Sequence, residues 1–324
     1  MKVLLTGATG FVGSRLLDRL ILRGDTVRVI VRRESLTKNC EVTHFCRKGD
    51  IDVTTGSVTD PRVAMRAIRG QDVVYHLAAT IPRAGVTQQE VFETNVKGTE
   101  NLLRAAAVTG ESRFVFTSSV SLYGARLLPA TERCMCRPSG LYAISKFQAE
   151  RSVFQQHQTE GLPCVVLRLS HVYGCGAESP QQYIGAILKN PSNFLLRGAL
   201  GIVQWIHVDD VADALILAAT VPCANGHVFN IAGDEAVSRR DLVFLVHAAA
   251  KKMGVGGAWS YVRSVNSLKY ATEKAKLVLG FTPRVSLREG LSEMIADMQG
   301  EDVEFTYDSR RTEVDGAQCV DRSV

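Results

Sequence analysis

Short runs of Val, Leu and Ile alternate along the first half of the chain with stretches in which apolar residues recur at helical spacing. This alternation is typical of βαβ units, whose parallel strands are apolar throughout because both sheet faces are covered. The intervening helices are predicted at Phe11–Arg23, Asp60–Arg69, Gln88–Val108 and Ser139–Thr159. The predicted strands are Val3–Thr6, Thr26–Val31, Val53–Gly56, Asp72–Leu77, Arg113–Ser118, Cys164–Leu169 and His227–Ile231.

The regular alternation of strand and helix patterns ends after Leu169, where a stretch that contains Gly and Pro residues is followed mainly by helical patterns. We therefore predict an α/β fold with a Rossmann-type doubly wound parallel sheet over residues 1–170, joined by a late strand and helix from about 203–235. Residues 171–202 and 236–300 are predicted to form a smaller, interleaved C-terminal substrate lobe. The acidic segment 301–324 has little periodicity and is predicted to be a flexible tail.

A glycine-rich turn, TGATGFVG at residues 6–13, follows the first predicted strand and opens the first predicted helix. Gly7 allows a tight turn, Gly10 lets the backbone approach a pyrophosphate, and Gly13 lets the helix pack close to the strand. The free N–H groups at the helix N-terminus suit an anion. In this context the spacing predicts dinucleotide binding, although three glycines alone are a weak signal.

Two arginines, Arg32 and Arg33, follow the second predicted strand, where an acidic residue would hydrogen-bond the ribose 2′-hydroxyl of NAD. A guanidinium group can instead grip a 2′-phosphate through two parallel hydrogen bonds. We therefore predict NADP in preference to NAD, with a solvated basic strand end as the structural alternative.

A phenol and an ammonium group, Tyr142 and Lys146, lie four residues apart and hence on one face of a predicted helix. A lysine charge about 4–5 Å away at an effective dielectric of about 20 favours the phenolate by roughly 3–4 kcal/mol. The spacing recurs at Tyr270 and Lys274, but only Tyr142 follows a predicted sheet strand. We predict Tyr270 to be a surface residue of the second lobe, and Ser118 and Ser119 to orient a substrate oxygen.

The composition narrows the function classes further. The 324 residues are 46% hydrophobic and 22% charged, which allows about two domains and excludes disordered and coiled-coil classes. A net charge of +5 without a long basic run gives little support for nucleic acid or a membrane surface as partner. Eight cysteines without a C-x-x-C pair predict reduced thiols and no metal site. No apolar run reaches membrane-spanning length, so a soluble, cytoplasmic protein is expected.

Several separated sequence blocks resemble the extended short-chain dehydrogenase/reductases, the group of NAD(P)-dependent nucleotide-sugar epimerases and dehydratases. The resemblance covers roughly residues 1–298. The blocks are TGATGFVG at 6–13, HLAA at 76–79, ETNVKGTENLL at 93–103, TSSVSLYG at 117–124, YAISK at 142–146, LRLSHVYG at 167–174 and WIHVDDVADAL at 205–215.

The resemblance implies site roles and an assembly. Tyr142 would be the catalytic acid/base, Lys146 its partner and Ser119 the catalytic hydroxyl, and the helices that carry Asn95 and Tyr142 would form a homodimer. The cofactor would contact Gly7, Gly10, Phe11, Val12, Gly13, Arg32, Arg33, Ala78, Ala79 and Lys146.

Departures from the family pattern bear on the substrate. Val120-Ser121 follow Ser119 where dehydratases have Asp-Glu, which argues against water elimination. Ser57 stands where the family usually has an Asp contacting adenine. His171 and Val203 replace an Asn and an Arg that hold the diphosphate of a nucleotide sugar, and His171 or Arg197 would have to substitute. We interpret His207 as structural.

Three function hypotheses follow. The first is an epimerase or 4-ketoreductase that moves hydride between nicotinamide and a carbinol or keto carbon of a nucleotide sugar. The alternative is an NADPH ketoreductase of the dihydroflavonol-reductase or hydroxysteroid-dehydrogenase type, favoured by the two arginines and the missing diphosphate residues. A non-catalytic dinucleotide-binding protein is a second alternative, which would leave the Ser119, Tyr142 and Lys146 set idle.

Overall fold

The structure is a computed structural model that describes residues 1–36, 40–110, 112–124, 129–192, 201–250 and 269–300. Its main feature is a seven-stranded sheet with strand order β10-β6-β5-β4-β1-β2-β3. The pairings of β2 with β3, β1 with β2, β1 with β4, and β4 with β5 are parallel. The sheet strands are β1 (Lys2–Thr6), β2 (Thr26–Val31), β3 (Ile51–Thr55), β4 (Val73–His76), β5 (Arg113–Ser119), β6 (Cys164–Leu169) and β10 (His227–Ile231).

This order reverses between β1 and β4, because the chain adds β2 and β3 on one side of β1 and the later strands on the other. In open α/β sheets such a reversal opens a crevice at the carboxyl ends of the strands. Among the described residues, four short strands lie outside the sheet and form two further pairs, β11 with β8 and β7 with β9. They are β7 (His171–Tyr173), β8 (Ile202–Val203), β9 (Trp205–His207) and β11 (Val237–Ser238).

Two of the helices that flank the sheet begin at a side-chain cap. Asp60 accepts from the Arg62 N–H group at 2.8 Å ahead of Pro61, and Thr87 with Glu90 forms a capping box. The helices are α1 (Phe11–Leu22), α2 (Arg33–Leu36), α3 (Cys40–Lys48), α4 (Pro61–Ile68), α5 (Gln88–Phe92), α6 (Gly98–Thr109), α7 (Leu141–Glu160), α8 (Glu178–Lys189), α9 (Val208–Thr220), α10 (Arg239–Ala249) and α11 (Leu287–Gln299).

The predicted sheet strands are confirmed with ends within two residues, but the predicted helix Gln88–Val108 is interrupted. A π-helical turn at Glu93–Lys97 joins α5 to α6. The hydrophobic period does not reveal this turn, because the extra residue that a π turn inserts shifts the pattern only locally. The predictions also missed α2 and α3, whose stretch is largely polar, and the strands of two or three residues, which are too short to show a period.

Contacts within the chain divide it into two compact units. The first contains the described residues of 1–125, 134–168 and 214–229, and the second those of 126–133, 169–213 and 230–324. Each has its own core. In the first unit, Leu4, Phe114 and Phe116 of the sheet pack with Leu102 and Val153 of the helices. In the second unit, the core is Tyr173 with Ile184, Leu242, Leu291 and Met294. The predicted tail, 301–324, lies outside the described residues.

Within the part of the chain that the structure describes, no helix combines the length and the apolar character needed to cross a membrane.

Candidate active site

The glycine-rich turn lies at the carboxyl end of β1 and leads into α1. Gly7 has φ +78°, and the Gly10 N–H group donates to the Gly7 carbonyl at 2.9 Å, which closes the turn. A Cβ atom on Gly13 would lie 2.0 Å from the Gly7 oxygen. The turn therefore requires glycine at Gly7 for its positive φ and at Gly13 for the close approach of helix and strand.

A dinucleotide fits this turn. Gly10 is the N-cap of α1 and has no side chain to cap the first N–H groups of the helix, so the N–H groups of Phe11, Val12 and Gly13 can face an anion. The side chains of Phe11 and Val12 are half-buried and Gly10 is exposed. The turn also lies at the strand-order reversal, where ligands bind in such sheets.

Ala78 and Ala79 follow β4, the neighbour of β1, and border the same crevice. The Ala78 N–H group donates to Thr6 Oγ1 at 3.2 Å, and a Cβ on Gly7 would lie 2.7 Å from that same Ala78 nitrogen. Ala79 is exposed, whereas Ala78 is half-buried. The predicted cofactor residues of β1 and β4 are thus close together in the structure.

His76, at the end of β4, is locked in its neutral form. The Thr99 hydroxyl donates to the Asn95 carbonyl at 2.7 Å, so it accepts the hydrogen bond from His76 Nε2 at 2.9 Å. His76 Nδ1 then accepts from the Thr6 hydroxyl at 2.8 Å. Burial, and after it the charge of Lys146, lower the pKa of His76 to about 3. The histidine of the HLAA block therefore ties β1 to α6 without adding a charge.

The arginines that suggested NADP lie on the surface beyond β2. Arg32 and Arg33 are both exposed, and Arg32 Nε is 3.7 Å from Glu34 Oε1. An exposed ion pair at this distance is weak and leaves the Arg32 guanidinium able to meet another anion. Both side chains are therefore accessible to a phosphate group.

Ser119 ends β5 and caps the 3-10 turn at Val120–Tyr123. Ser121 donates to Ser119 Oγ twice, through its N–H group at 3.1 Å and its hydroxyl at 2.9 Å. Both contacts use Ser119 Oγ as the acceptor, so its own proton can be donated to a substrate oxygen. Sequence reasoning treated Ser121 only as a missing dehydratase residue and missed its contact with Ser119.

Tyr142 and Lys146 lie on α7, which packs against both β5 and the 3-10 turn that Ser119 caps. Lys146 is buried, with Nζ 4.1 Å from the centre of the Phe116 ring. Burial raises the pKa of Tyr142 to about 12, whereas it lowers the pKa of Lys146 to about 7. Burial therefore outweighs the expected effect of the lysine, which was to bring the pKa of the phenol toward neutrality.

Asn95 is a residue that sequence reasoning placed only on a dimerisation helix. It is buried within the π-helical turn, its Oδ1 accepts from the Thr80 N–H group at 2.7 Å, and its Nδ2 donates to Ser145 Oγ at 2.9 Å. Ser145 in turn donates to the Tyr142 carbonyl at 2.8 Å. Asn95 thus joins the segment after β4 to the first turn of α7. An Asn inside an apolar helix pattern is unfavourable by propensity, and that signal could have found it.

The remaining predicted residues do not all join this group. The Ser118 hydroxyl donates to Glu150 at 2.5 Å and is buried, on the opposite face of β5 from Ser119. His171 belongs to the second unit, and Arg197 lies outside the described residues. The prediction of a surface position for Tyr270 is wrong: the side chain is 8% exposed, and Gln204 accepts from its N–H group at 2.9 Å.

His207, interpreted as structural, is buried in the second unit with its two ring nitrogens each 3.4 Å from a carboxylate, those of Asp209 and Glu293. Tyr173 packs edge-on against the same ring. Among the described residues, no group of three or more His, Cys, Asp or Glu side chains is arranged to hold a metal ion.

Comparison with known proteins agrees with this geometry. The family model described as "NAD dependent epimerase/dehydratase family" matches residues 3–232. A dTDP-glucose 4,6-dehydratase of Streptomyces griseus is 30% identical over 91% of this chain and 93% of its own length. A 3 beta-hydroxysteroid dehydrogenase/Delta 5→4-isomerase of Mycobacterium tuberculosis is 33% identical over 67% of this chain and 60% of its own.

Solved structures have the same fold. A UDP-glucuronic acid 4-epimerase from Bacillus cereus, crystallised with NAD, superposes with a TM-score of 0.76 at 25% identity, covering 93% of this chain and 99% of that one. Since the family model matches most of the chain and the sheet has the strand order of a dinucleotide-binding fold, the protein is a member of the NAD-dependent epimerase/dehydratase family.

Proposed function

We propose that the protein is an NAD(P)-dependent epimerase or 4-ketoreductase of a nucleotide sugar, with Tyr142 as acid/base, Lys146 as its partner and Ser119 as the hydroxyl that holds the reacting oxygen. The observation that carries the proposal is the placement of α7, with Tyr142 and Lys146 on one face, against the strand end that presents Ser119. That strand end belongs to the same sheet as the nucleotide-binding turn.

When bound, the nicotinamide supplies a hydride acceptor or donor at the carbinol or keto carbon. The glycine turn and the first N–H groups of α1 would hold its pyrophosphate. Ser119 donates a hydrogen bond to the substrate oxygen, and Tyr142 takes or gives the proton at that oxygen. Because burial raises the pKa of Tyr142 to about 12, the phenol stays protonated at neutral pH and is ready to protonate a keto oxygen.

A cationic cluster in the second unit supports the nucleotide-sugar substrate. It consists of His171 with Lys269 and Arg239, and partial burial, followed by the charges of Lys269 and Arg239, lowers the pKa of His171. Burial and then Arg239 lower the pKa of Lys269 as well. Lys269 and Arg239 are the two cations of this group, and their charges disfavour a charge on His171; a bound diphosphate would offset the repulsion between them. We propose that this cluster replaces the Asn and Arg that the family uses for the diphosphate.

The substrate class can be tested with two panels. The first contains UDP- and dTDP-hexoses with NAD and their 4-keto forms with NADPH, and the second contains hydroxysteroids with NADP and dihydroflavonols with NADPH. We expect turnover, followed by product NMR, with a nucleotide sugar. Arg239→Ala should weaken UDP binding at least tenfold by calorimetry, because it removes a charge-assisted phosphate contact. Arg240→Ala is the matched control, since Arg240 is the exposed neighbour and lies 6.0 Å from the Phe244 ring.

Turnover of a hydroxysteroid or dihydroflavonol, with unchanged UDP binding in Arg239→Ala, would contradict the proposal and favour the ketoreductase alternative. The 33% identity to a hydroxysteroid dehydrogenase favours that alternative, in addition to Arg32, Arg33 and the missing diphosphate residues. Cofactor retention makes a different distinction: an epimerase must keep its cofactor through the reaction, whereas a reductase of either substrate class exchanges it.

The proposal includes a preference for NADP, although the similar UDP-glucuronic acid 4-epimerase from Bacillus cereus was crystallised with NAD. We expect the double variant Arg32→Ala/Arg33→Ala to bind NADP at least tenfold more weakly in a fluorescence titration, with NAD affinity changed less than about twofold, because only NADP carries the 2′-phosphate. Arg151→Ala, an exposed arginine on α7, is the control. An equal loss for both cofactors would exclude a 2′-phosphate contact.

The homodimer through α6 and α7 remains a prediction from the resemblance.

A further inference from the structure

A buried chain of hydrogen bonds lies directly behind Lys146. Ser118 Oγ donates to Glu150 Oε2 at 2.5 Å, and Arg168 holds the same carboxylate through Nη2 at 2.5 Å and through Nε at 3.2 Å. Arg168 Nη1 donates to the Tyr123 hydroxyl at 2.8 Å. Glu150 and Arg168 are 3% and 5% exposed. This is a buried charge pair inside the first unit, and all three guanidinium nitrogens of Arg168 donate hydrogen bonds in it.

The sequence spacing aligns this pair with the acid/base group. Tyr142, Lys146 and Glu150 follow one another at four-residue steps on α7, so they lie along one face of the helix at successive turns. On β5, Phe116 and Ser118 share a face. Phe116 contacts the Lys146 ammonium, and Ser118 contacts the Glu150 carboxylate. One strand face therefore fixes the lysine and the glutamate together.

The groups around Lys146 differ in what they contribute to its charge. Tyr142 and Glu150 lie on its own helix, and His76 faces it from β4. His76 is neutral at physiological pH, because its pKa is lowered to about 3. Arg168, from β6, faces Glu150. Burial lowers the pKa of Lys146 to about 7, and the carboxylate of Glu150 opposes that effect.

We propose that Glu150 is a positioning residue for the reaction: its carboxylate, held in place by Ser118 and Arg168, keeps the buried Lys146 ammonium charged and thereby supports proton transfer at Tyr142. The inference rests on the proposed function of Tyr142 and Lys146. The charge on Lys146 is lost as the pH rises through its pKa, so without the carboxylate Lys146 becomes neutral at a lower pH. A neutral lysine no longer stabilises a phenolate at Tyr142.

Arg168 determines how strongly the Glu150 carboxylate affects the charge of Lys146. Burial opposes the charge on Arg168, but the hydrogen bond and charge of Glu150 raise its pKa overall, so it stays a cation. A carboxylate shared with a guanidinium exerts only part of its field on a third group. Removal of Glu150 alone leaves Arg168 as an unpaired buried cation, which costs stability and repels the Lys146 ammonium. Removal of both charges together leaves no unpaired buried cation and should therefore cost less stability.

The test is the titration of Lys146 in the full-length protein. Lysine labelled with ¹³C at Cε reports its own protonation by NMR, and Lys146→Met identifies the resonance. We expect Glu150→Gln to lower the Lys146 midpoint by at least one pH unit, a tenfold change in the protonation equilibrium. At pH 7 the charged fraction of Lys146 should fall from about a half to about a tenth, so kcat should fall at least about fivefold, with KM changed less than about twofold. Glu160→Gln, an exposed carboxylate at the end of the same helix, should leave the midpoint and kcat unchanged.

A second variant covers the case in which Glu150→Gln does not fold. Glu150→Gln/Arg168→Met removes the pair without leaving a buried charge, and we expect its Lys146 midpoint to lie between those of the wild type and Glu150→Gln. A wild-type midpoint in the folded variants would overturn the inference and reduce the pair to a structural role. Failure of the proposed function is a different result, since it appears as full turnover in Tyr142→Phe and leaves the Lys146 titration measurable.

Discussion

Tyr142→Phe is expected to lower kcat by about 10²- to 10⁴-fold, the usual contribution of a positioned general acid or base. The variant removes one hydroxyl and retains the ring, so the packing of α7 against β5 is preserved. The substitution changes no charged group, so the affinity for the cofactor should stay within about twofold of the wild-type value. Steady-state kinetics with the best nucleotide sugar, together with a fluorescence titration of NADH, measure the two effects separately.

Tyr270→Phe is the matched control, because Tyr270 and Lys274 repeat the Tyr-x-x-x-Lys spacing elsewhere in the chain. Tyr270 is buried in the second unit, where its backbone forms a bridge with Ala130 and donates to the side chain of Gln204. We expect Tyr270→Phe, which loses only the hydroxyl, to change kcat less than about twofold. Full activity in Tyr142→Phe, or its loss in Tyr270→Phe instead, would show that the acid/base assignment is wrong.

The contrast between the two tyrosines shows what the sequence could predict. The sheet strands and the helices around them were predictable, because buried parallel strands have continuous apolar runs and their helices have a clear period. Tyr142 could be chosen over Tyr270 because it follows a sheet strand. The burial of Tyr270 could not be predicted, since it depends on a bridge to Ala130, 140 positions earlier in the chain.

The parts of the site that were missed depend on contacts between distant residues. Asn95 meets Ser145, and Glu150 meets Ser118 and Arg168, through hydrogen bonds between different elements. A pattern along the chain reports which face of an element is buried, but it does not report which polar side chains meet there. The same limit affected the pKa of Tyr142: the spacing to Lys146 indicated a lowering, whereas burial, which only the fold reveals, acts in the opposite direction.

Gly13→Ala is expected to abolish cofactor binding, with at least a 100-fold loss of NAD affinity. The added Cβ would lie 2.0 Å from the Gly7 oxygen and 2.7 Å from the Gly7 carbonyl carbon, far inside van der Waals contact. Both atoms are backbone, so no side-chain rotation can relieve the clash. The helix N-terminus must move away from β1, and Gly7 cannot follow because it is itself packed against Ala78.

The same displacement should cost about 1–3 kcal/mol of unfolding free energy, as overpacking does in other cores. Thermal unfolding without cofactor separates this cost from the loss of binding. Gly185→Ala is the control, because Gly185 lies within α8 and its Cβ would meet only the end of Met298 at 3.6 Å, an ordinary contact. Alanine is favoured over glycine inside a helix by about 1 kcal/mol, so this variant should be at least as stable as the wild type, with unchanged NAD affinity. Wild-type NAD affinity in Gly13→Ala would mean that the turn at Gly7–Gly13 does not hold the cofactor.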